Sequence, residues 1–296
     1  MSNSNNQHQS LIADVLLVTV TKIEFRAVID LVKKECNCEP KTHHENDNIY
    51  YDLGIIGGAR IVMVRSEMGS EGPSGVIMTV NNAIDAINTT IASPDIIMVG
   101  IAFGVNPDEQ QIGSVLISTQ IVGYDLQKID KNANTISRNE HPSCSPELLR
   151  KCRNGQNYWE NSSIKLEFGP ILSGQKLVDN KDFREQLRTQ APEAIGGDME
   201  AFGLYTAAHS KCEWIVVKAI SDWADGKKYE NKEQRQQQAA ENAARFVIHV
   251  IKHGNFSRSK ASHPIKDDFV KSQPPMITVT ASHVSSEGNS IIKVRN

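Results

Sequence analysis

Two carboxyl side chains, Asp222 and Glu24, stand near the ends of two apolar stretches of the sequence. The later stretch, residues 214–220, contains Lys218 as its only polar residue and leads into Ser221 and Asp222. Such a run is typical of a parallel strand covered on both faces, and ligands of open α/β sheets bind at the carboxyl ends of strands. General acid–base catalysis needs a proton donor on one side of the reacting bond and a base on the other. Asp222 and Glu24 are therefore candidate catalytic residues.

Each carboxyl group also has a plainer interpretation. By itself, Asp222 is equally consistent with a helix cap or a loop carboxylate. Glu24 is also consistent with a solvated acid that the helix dipole favours in a first turn. Between them in the chain, Gly196-Gly197 predicts a flexible turn, and Asp198 predicts hydrogen bonds to the free N–H groups of a helix at 199–211.

The elements that must position these residues alternate between strand and helix. Apolar runs predict strands at 13–20, 49–54, 59–64, 94–104, 114–122, 165–174 and 214–220. Helical spacing predicts helices at 24–34, 76–91, 146–152, 179–190, 199–211 and 230–252. Gly57-Gly58 is a hairpin signal, and the polar region 124–161 is predicted as an insertion or lid. This order predicts an α/β fold with a sheet covered on both faces.

Composition limits the classes of function. The chain has 296 residues, a formal net charge of -3 and 39% hydrophobic residues, which is typical of an ordinary soluble protein without a basic field for nucleic acid. The apolar runs are too short for a membrane span, and residues 1–10 lack the regions of a signal peptide. We therefore expect a cytoplasmic protein that binds neither nucleic acid nor membrane.

Three segments are predicted along the chain. Residues 1–11 form a flexible N-terminal segment, residues 12–254 form one domain, and residues 255–296 form a serine-rich tail that is flexible or contacts a partner. Five cysteines without a CxxC pair indicate reduced thiols. No metal cluster, nicotinamide fingerprint or Ser-His-Asp arrangement is present, so no metal and no cofactor are expected. The glycine-rich loop 68–75 fits an anion or ribose site, but alone it is equally a tight turn.

Five motifs together carry a family resemblance. The run GGDMEAFGLYTAA followed by IVVKAISDWAD resembles the paired signature of the nucleoside phosphorylase and methylthioadenosine/S-adenosylhomocysteine nucleosidase superfamily. The segments VTVTKIEFRAV, MGSEGPSGV, VGIAFGV and GPILSGQKLV keep the family's order. The resemblance implies a three-layer αβα phosphorylase-like fold with a central twisted mixed sheet. It also implies cleavage of the N-glycosidic bond of a purine (adenine) nucleoside or nucleotide, and a homo-oligomer, most simply a dimer.

The resemblance also implies roles for individual residues. Asp222 would donate a proton to N7 of the purine, and Glu24 would act as general base toward the attacking water. Glu200, beside Met199, would hold the ribose hydroxyls. The other residues expected to bind substrate are Ser221, Phe103, Gly104, Leu177 and Val178. These roles agree with the chemistry, because an oxocarbenium-like transition state needs an acid on the base side and a carboxylate with water on the other.

The co-substrate and the 5′ group of the substrate are less closely defined. Hexameric phosphorylases hold phosphate with an arginine and a serine where this chain has Met98 and Ile101, which favours water as the nucleophile. Phe103, Leu177 and Lys218 depart from the small nucleosidases, so the 5′ substituent stays open. Superfamily members in bacterial defence systems cleave adenine nucleotides, including ATP. Candidate phosphate contacts are Lys22, Arg26, Arg60, Arg65 and Lys227-Lys228.

Two other functions remain open at this point. One is phosphorolysis through a rearranged phosphate site. The other is a catalytically silent nucleotide-sensing module whose tail docks a partner. The presence of both Asp222 and Glu24 favours the enzyme, because a binding module needs neither.

Overall fold

The structure of the chain is a computed structural model that describes residues 11–45, 48–87, 93–129, 131, 135–138, 140–227, 229 and 231–257. Apart from Leu11 and residues 255–257, the two segments predicted to be flexible lie outside these ranges. Leu11 is buried and bridges Ile87, and Phe256 is buried, so the ordered core extends slightly past both predicted boundaries. All the described residues belong to one compact unit, Met1–Lys260.

Strands and helices alternate largely as the apolar pattern predicts. The strands are β1 (Val15–Thr19), β2 (Lys41–Glu45), β3 (Asn48–Ile56), β4 (Ala59–Arg65), β5 (Asp95–Gly104), β6 (Val115–Gly123), β7 (Gln127–Ile129), β8 (Thr135–Ser137), β9 (Leu166–Ser173), β10 (Gly196–Asp198) and β11 (Trp214–Asp222). The helices are α1 (Lys22–Cys36), α2 (Val76–Ala86), α3 (Pro146–Asn157), α4 (Lys181–Gln190), α5 (Ala201–Ala208) and α6 (Lys232–His253). None of the described helices has the length and hydropathy that a membrane crossing requires.

One mixed sheet forms the centre of the fold, in the order β10-β9-β6-β11-β5-β1-β4-β3-β2. The central strand β5 pairs in parallel with β1 on one side and β11 on the other, and every residue of β11 is buried. Helix α6 packs on β5 and β11 together with α1, and α5 packs on the sheet together with α2. The predicted three-layer fold around a mixed sheet is therefore confirmed. Its parallel centre places the carboxyl ends of β1, β5 and β11 at the same edge.

Several local predictions need correction. Gly196-Gly197 is not a free turn but the start of β10, which pairs with β9 and β5. Glycine is required there because a side chain at Gly197 would overlap the ring of Phe103. The helix predicted at 199–211 is shorter, since α5 spans Ala201–Ala208, and α3 extends beyond the predicted 146–152. The short strands β2, β7 and β8 were not predicted, because few-residue polar strands leave no apolar alternation to detect.

The predicted hairpin is present. Gly57 and Gly58 connect β3 to β4 with φ values of 59° and 85°. Positive φ at both central residues is the conformation that glycine adopts without strain, and it matches the twist of antiparallel strands.

Candidate active site

A cavity lies where the carboxyl ends of β1, β5 and β11 meet. It contains about 700 Å³ of empty space when the solvent at its open mouth is included. Eight of the nine predicted site residues line it: Glu24, Phe103, Leu177, Val178, Met199, Glu200, Ser221 and Asp222. Gly104, the ninth, is not part of this lining. It packs beneath Trp223, whose ring a side chain at Gly104 would approach to 2.5 Å.

Glu24 is held by a capping box at the start of α1. The hydroxyl oxygen of Thr21 accepts from the backbone N–H of Glu24 at 3.2 Å, and Glu24 Oε2 accepts from the N–H of Thr21 at 2.7 Å. Oε2 also accepts from the N–H of Val20 at 2.8 Å. Because Glu24 is only 2% exposed, its interpretation as a solvated first-turn acid is wrong.

The second oxygen of Glu24 reaches a different strand. Oε1 accepts from the N–H of Ile101, on β5, at 2.8 Å. A carboxylate offers about four acceptor positions, and three are now occupied, two on Oε2 and one on Oε1. A side chain at Gly100 would overlap this carboxylate, so glycine is what lets Glu24 approach β5. Oε1 is therefore the oxygen that retains an acceptor position for a water molecule.

Asp222 ends β11 at an irregularity in the sheet. The pairing of β11 with β5 shifts register between Ile220 and Asp222. Strand neighbours normally point to opposite faces, and a register shift of this kind re-aims a side chain. Both Ser221 and Asp222 consequently line the cavity.

Hydrogen bonds orient the Asp222 carboxyl group from two sides. Ser221 Oγ lies 2.9 Å from Asp222 Oδ2 and 3.3 Å from the carbonyl oxygen of Ala102, and its single proton serves one of them at a time. The N–H of Ala224 donates to Asp222 Oδ1 at 3.1 Å. Asp222 is thus a buried, positioned carboxyl group, and it does not cap a helix of the described chain.

A buried ion-pair cluster lies behind the cavity. Lys218, on β11, is 1% exposed, and its Nζ lies 3.3 Å from both Asp198 Oδ2 and Glu200 Oε2. Glu200 Oε1 accepts from the N–H of Gly69, at 3.1 Å. The glycine-rich loop after β4 therefore uses this N–H to orient Glu200. One lysine thus ties together β11, the β10–α5 connection and the glycine-rich loop.

Asp198 also starts the following helix. Its Oδ1 accepts from the N–H groups of Ala201 at 3.1 Å and Glu200 at 3.3 Å, as the sequence predicted. Among the described residues, Oδ2 accepts no hydrogen bond of suitable geometry, so the ion pair with Lys218 is what balances its charge.

The charges of this cluster are strongly coupled. Burial lowers the pKa of Lys218, but the carboxylates of Glu200, Asp198 and Glu24 outweigh burial and raise that pKa, so the ammonium stays charged. Burial raises the pKa of Asp198, and Lys218 opposes this only in part. A single cation therefore faces several carboxyl groups, and the inner wall of the cavity is acidic.

Sequence analysis missed the central role of Lys218. The available signal was a lysine inside an otherwise apolar strand, because a buried charge requires buried partners. Of the candidate phosphate contacts, Lys22, Arg26, Arg60, Arg65 and Lys227 do not line the cavity, and Lys228 lies outside the described residues. The lysines that do line it are Lys176 and Lys232. No group of three His, Cys, Asp or Glu residues suited to a metal ion occurs in the described chain.

Comparison with known proteins gives consistent matches. The profile of the family described as the phosphorylase superfamily matches residues 14–252. A death domain-containing ATP nucleosidase of Amphimedon queenslandica is 26% identical over 259 residues, which cover 80% of this chain and 48% of that protein. The chain thus spans about half the length of that relative.

Two further matches cover nearly the whole of the other protein. A 5′-methylthioadenosine/S-adenosylhomocysteine nucleosidase of Staphylococcus haemolyticus is 27% identical over 218 residues, which cover 68% of this chain and 90% of that protein. The crystal structure of the nucleosidase of the same name from Neisseria meningitidis superposes with a TM-score of 0.66 at 21% identity. That superposition covers 80% of this chain and 98% of the other, and it supports the fold.

Replacing Lys218 tests the ion-pair cluster. We expect Lys218→Met to lower the free energy of unfolding by about 3–5 kcal/mol, because buried carboxylates lose their counter-charge. The loss of unfolding free energy should be smaller at about pH 5 than at about pH 8. At the lower pH, protonation of the buried carboxylates removes the uncompensated negative charge. Urea unfolding of the variant and the wild type at both pH values measures this difference in the free energy of unfolding.

Lys165→Met is a matched control for this substitution. Lys165 pairs with Glu167 at 3.3 Å but is 47% exposed. Loss of this exposed ion pair should lower the free energy of unfolding by less than about 1 kcal/mol at either pH. Equal losses for the two variants would contradict the role assigned to Lys218.

Proposed function

The chain belongs to the phosphorylase superfamily, and from that premise we propose that it hydrolyses the N-glycosidic bond of adenine nucleosides or nucleotides and releases the free base. Membership confirms the resemblance carried by the sequence motifs. The observation that carries the proposal is the cavity itself, in which Glu24, Asp222 and Glu200 converge from three different segments of the chain. Carboxyl groups of this kind are what glycosidic cleavage requires.

The proposed reaction gives each carboxyl group one role. Protonated Asp222 gives its proton to N7 of the purine, so that the bond between C1′ and N9 breaks with a neutral base as leaving group. The electron pair of that bond stays with the base, and C1′ develops oxocarbenium character. A water molecule on Glu24 Oε1 attacks C1′ and gives a proton to that carboxylate. Glu200 accepts hydrogen bonds from the ribose hydroxyls.

The relatives agree on the base and differ at the 5′ position. The names of both curated relatives specify an adenine-containing substrate, either ATP or methylthioadenosine and S-adenosylhomocysteine. The cleaved bond is therefore the same in both cases. For this chain we propose the same bond and the same base.

The surroundings of Ile101 support water over phosphate as the nucleophile. Met98 is fully buried in the core, and Ile101 presents an apolar side chain to the cavity. Neither residue supplies the charge that a phosphate dianion needs. A homodimer, a cytoplasmic location and a partner for the tail stay predictions, and the tail lies outside the described residues.

Replacing the acid tests the proposal. We expect Asp222→Asn to lower kcat for adenine release by about 10²–10⁴-fold while adenine ligands still bind. The reason is that an amide cannot transfer a proton to N7 as a carboxylic acid does. Chromatography of adenine released from adenosine, methylthioadenosine and ATP measures the rate. Asp182→Asn, in the exposed first turn of α4, is the matched control and should behave as the wild type. Wild-type protein that binds these compounds and releases no base would instead identify a sensing module.

Gly100→Ala tests the position of Glu24. The new methyl group would displace the carboxylate from the N–H of Ile101, so we expect kcat to fall about 100-fold with a much smaller change in KM. Gly169 lies in β9, away from the cavity lining, and Gly169→Ala introduces a similar overlap with the side chain of Ile195. The Gly169→Ala variant should have a lower free energy of unfolding than the wild type but should not show this loss of kcat. A matching fall in kcat for both variants would count against Glu24 as the base.

A further inference from the structure

We propose that Lys232 and Gln236, at the start of α6, together with Lys176, form a subsite for the 5′-phosphates of a nucleotide substrate. This inference rests on the proposed function and specifies the 5′ group that the preceding section left open. All three side chains line the same cavity as Glu24, Glu200 and Asp222.

The cavity has a buried floor and an exposed mouth. Glu24, Glu200 and Asp222 are each at most 6% exposed, whereas Lys176 and Lys232 are exposed. In the proposed reaction the base and the ribose use the buried carboxyl groups. The group at C5′ is then the part of the substrate that faces the mouth, where the lysines lie.

Lys232 is the best-placed cation of this mouth. It is the first residue of α6, and Gln236 lies one turn later on the same face of the helix. Within the described chain its Nζ makes no ion pair and lies over the face of Tyr229, 5.8 Å from the ring centre. A positive charge is unfavourable at the amino end of a helix, so an anion in the cavity would stabilise it.

Lys176 contributes a second, partly neutralised charge. Its Nζ lies 2.9 Å from Asp125 Oδ1, and Asp125 Oδ2 accepts from the N–H of Gln175 at 2.6 Å. Asp125 therefore fixes the backbone that carries Lys176 beside the mouth. Since Asp125 already offsets part of the charge of Lys176, Lys232 should contribute more to phosphate binding.

The acidic floor explains why a phosphate chain needs these lysines. Four carboxyl side chains line the cavity; with Asp222 protonated, as the proposed reaction requires, Glu24, Asp198 and Glu200 still outnumber the single positive charge of Lys218 behind them. A polyphosphate near this field is repelled unless cations at the mouth offset it. Among the described lining residues, Lys176 and Lys232 are the only cationic side chains. An uncharged thioether would gain nothing from them.

The mouth also contains apolar surface. Met68 and Leu177 line the cavity and are 57% and 58% exposed. These side chains could pack against a thioether or against the sugar of a nucleotide, so they do not select between the two. The lysines do select against the uncharged thioether of methylthioadenosine, because only an anionic 5′ group uses their charge.

The test compares substrates and charge variants in the full chain. We expect the wild type to cleave ATP with a higher kcat/KM than adenosine or methylthioadenosine in phosphate-free buffer. Lys232→Gln should lower the ratio of kcat/KM for ATP to that for adenosine by at least about ten-fold, because one charge-assisted contact is lost. Lys176→Gln should lower the same ratio by a smaller factor. Lys181→Gln is the matched control, since Lys181 is an exposed first residue of α4 outside the cavity lining, and it should leave the ratio unchanged.

Each contrary result has a distinct meaning. Adenine released from adenosine and methylthioadenosine but not from ATP, or an unchanged ratio in Lys232→Gln, overturns the phosphate subsite and leaves the proposed function intact. Base release that requires added inorganic phosphate identifies phosphorolysis, which overturns the proposed hydrolysis, and it also overturns the subsite by assigning the lysines to the co-substrate. No adenine from any of these substrates overturns the proposed function itself, and the subsite with it.

Discussion

The buried ammonium of Lys218 is the interaction on which the site depends. A charged lysine in the middle of a fully buried strand is costly unless opposite charges surround it. Asp198 and Glu200 supply those charges, each at 3.3 Å, and both belong to the segment that leads into α5. The ion pairs therefore link the sheet to that segment. They also hold Glu200 at the cavity with one oxygen bound to Lys218 and the other to the loop after β4.

A second carboxylate performs a similar task at the end of β1. Glu24 joins the β1–α1 turn to β5 through three backbone N–H groups. Its position depends on the missing side chain of Gly100, as the packing of β10 against Phe103 depends on Gly197. The floor of the cavity is thus assembled from groups whose hydrogen bonds leave them little freedom. Such preorganised charge favours a reaction in which positive charge develops on the sugar.

The mouth of the cavity is built differently from its floor. Lys176, Leu177 and Met68 belong to loops, and Lys232 and Gln236 belong to the exposed start of a helix. Substitution of exposed side chains costs little stability, whereas substitution in the buried floor disturbs several elements at once. A family with this arrangement can keep one bond-breaking chemistry and vary the 5′ group it accepts. The different 5′ groups of the substrates named for the curated relatives agree with that division.

The sequence by itself determined the elements and most of the residues that face the cavity. Strand ends are readable because apolar runs and turn residues are local patterns, and parallel strands bring their carboxyl ends to one edge. On that basis Asp222 and Glu24 were located near strand ends, whereas Glu200, Phe103 and Val178 were predicted from the family resemblance of the motifs. Only the tertiary structure decided that Glu24 bonds to Ile101, 77 residues away, and that Lys218 pairs with Asp198 and Glu200. It also left Gly104 out of the cavity lining and placed Lys176 and Lys232 at the mouth, because such contacts depend on strand order, register and loop path, which no local pattern encodes.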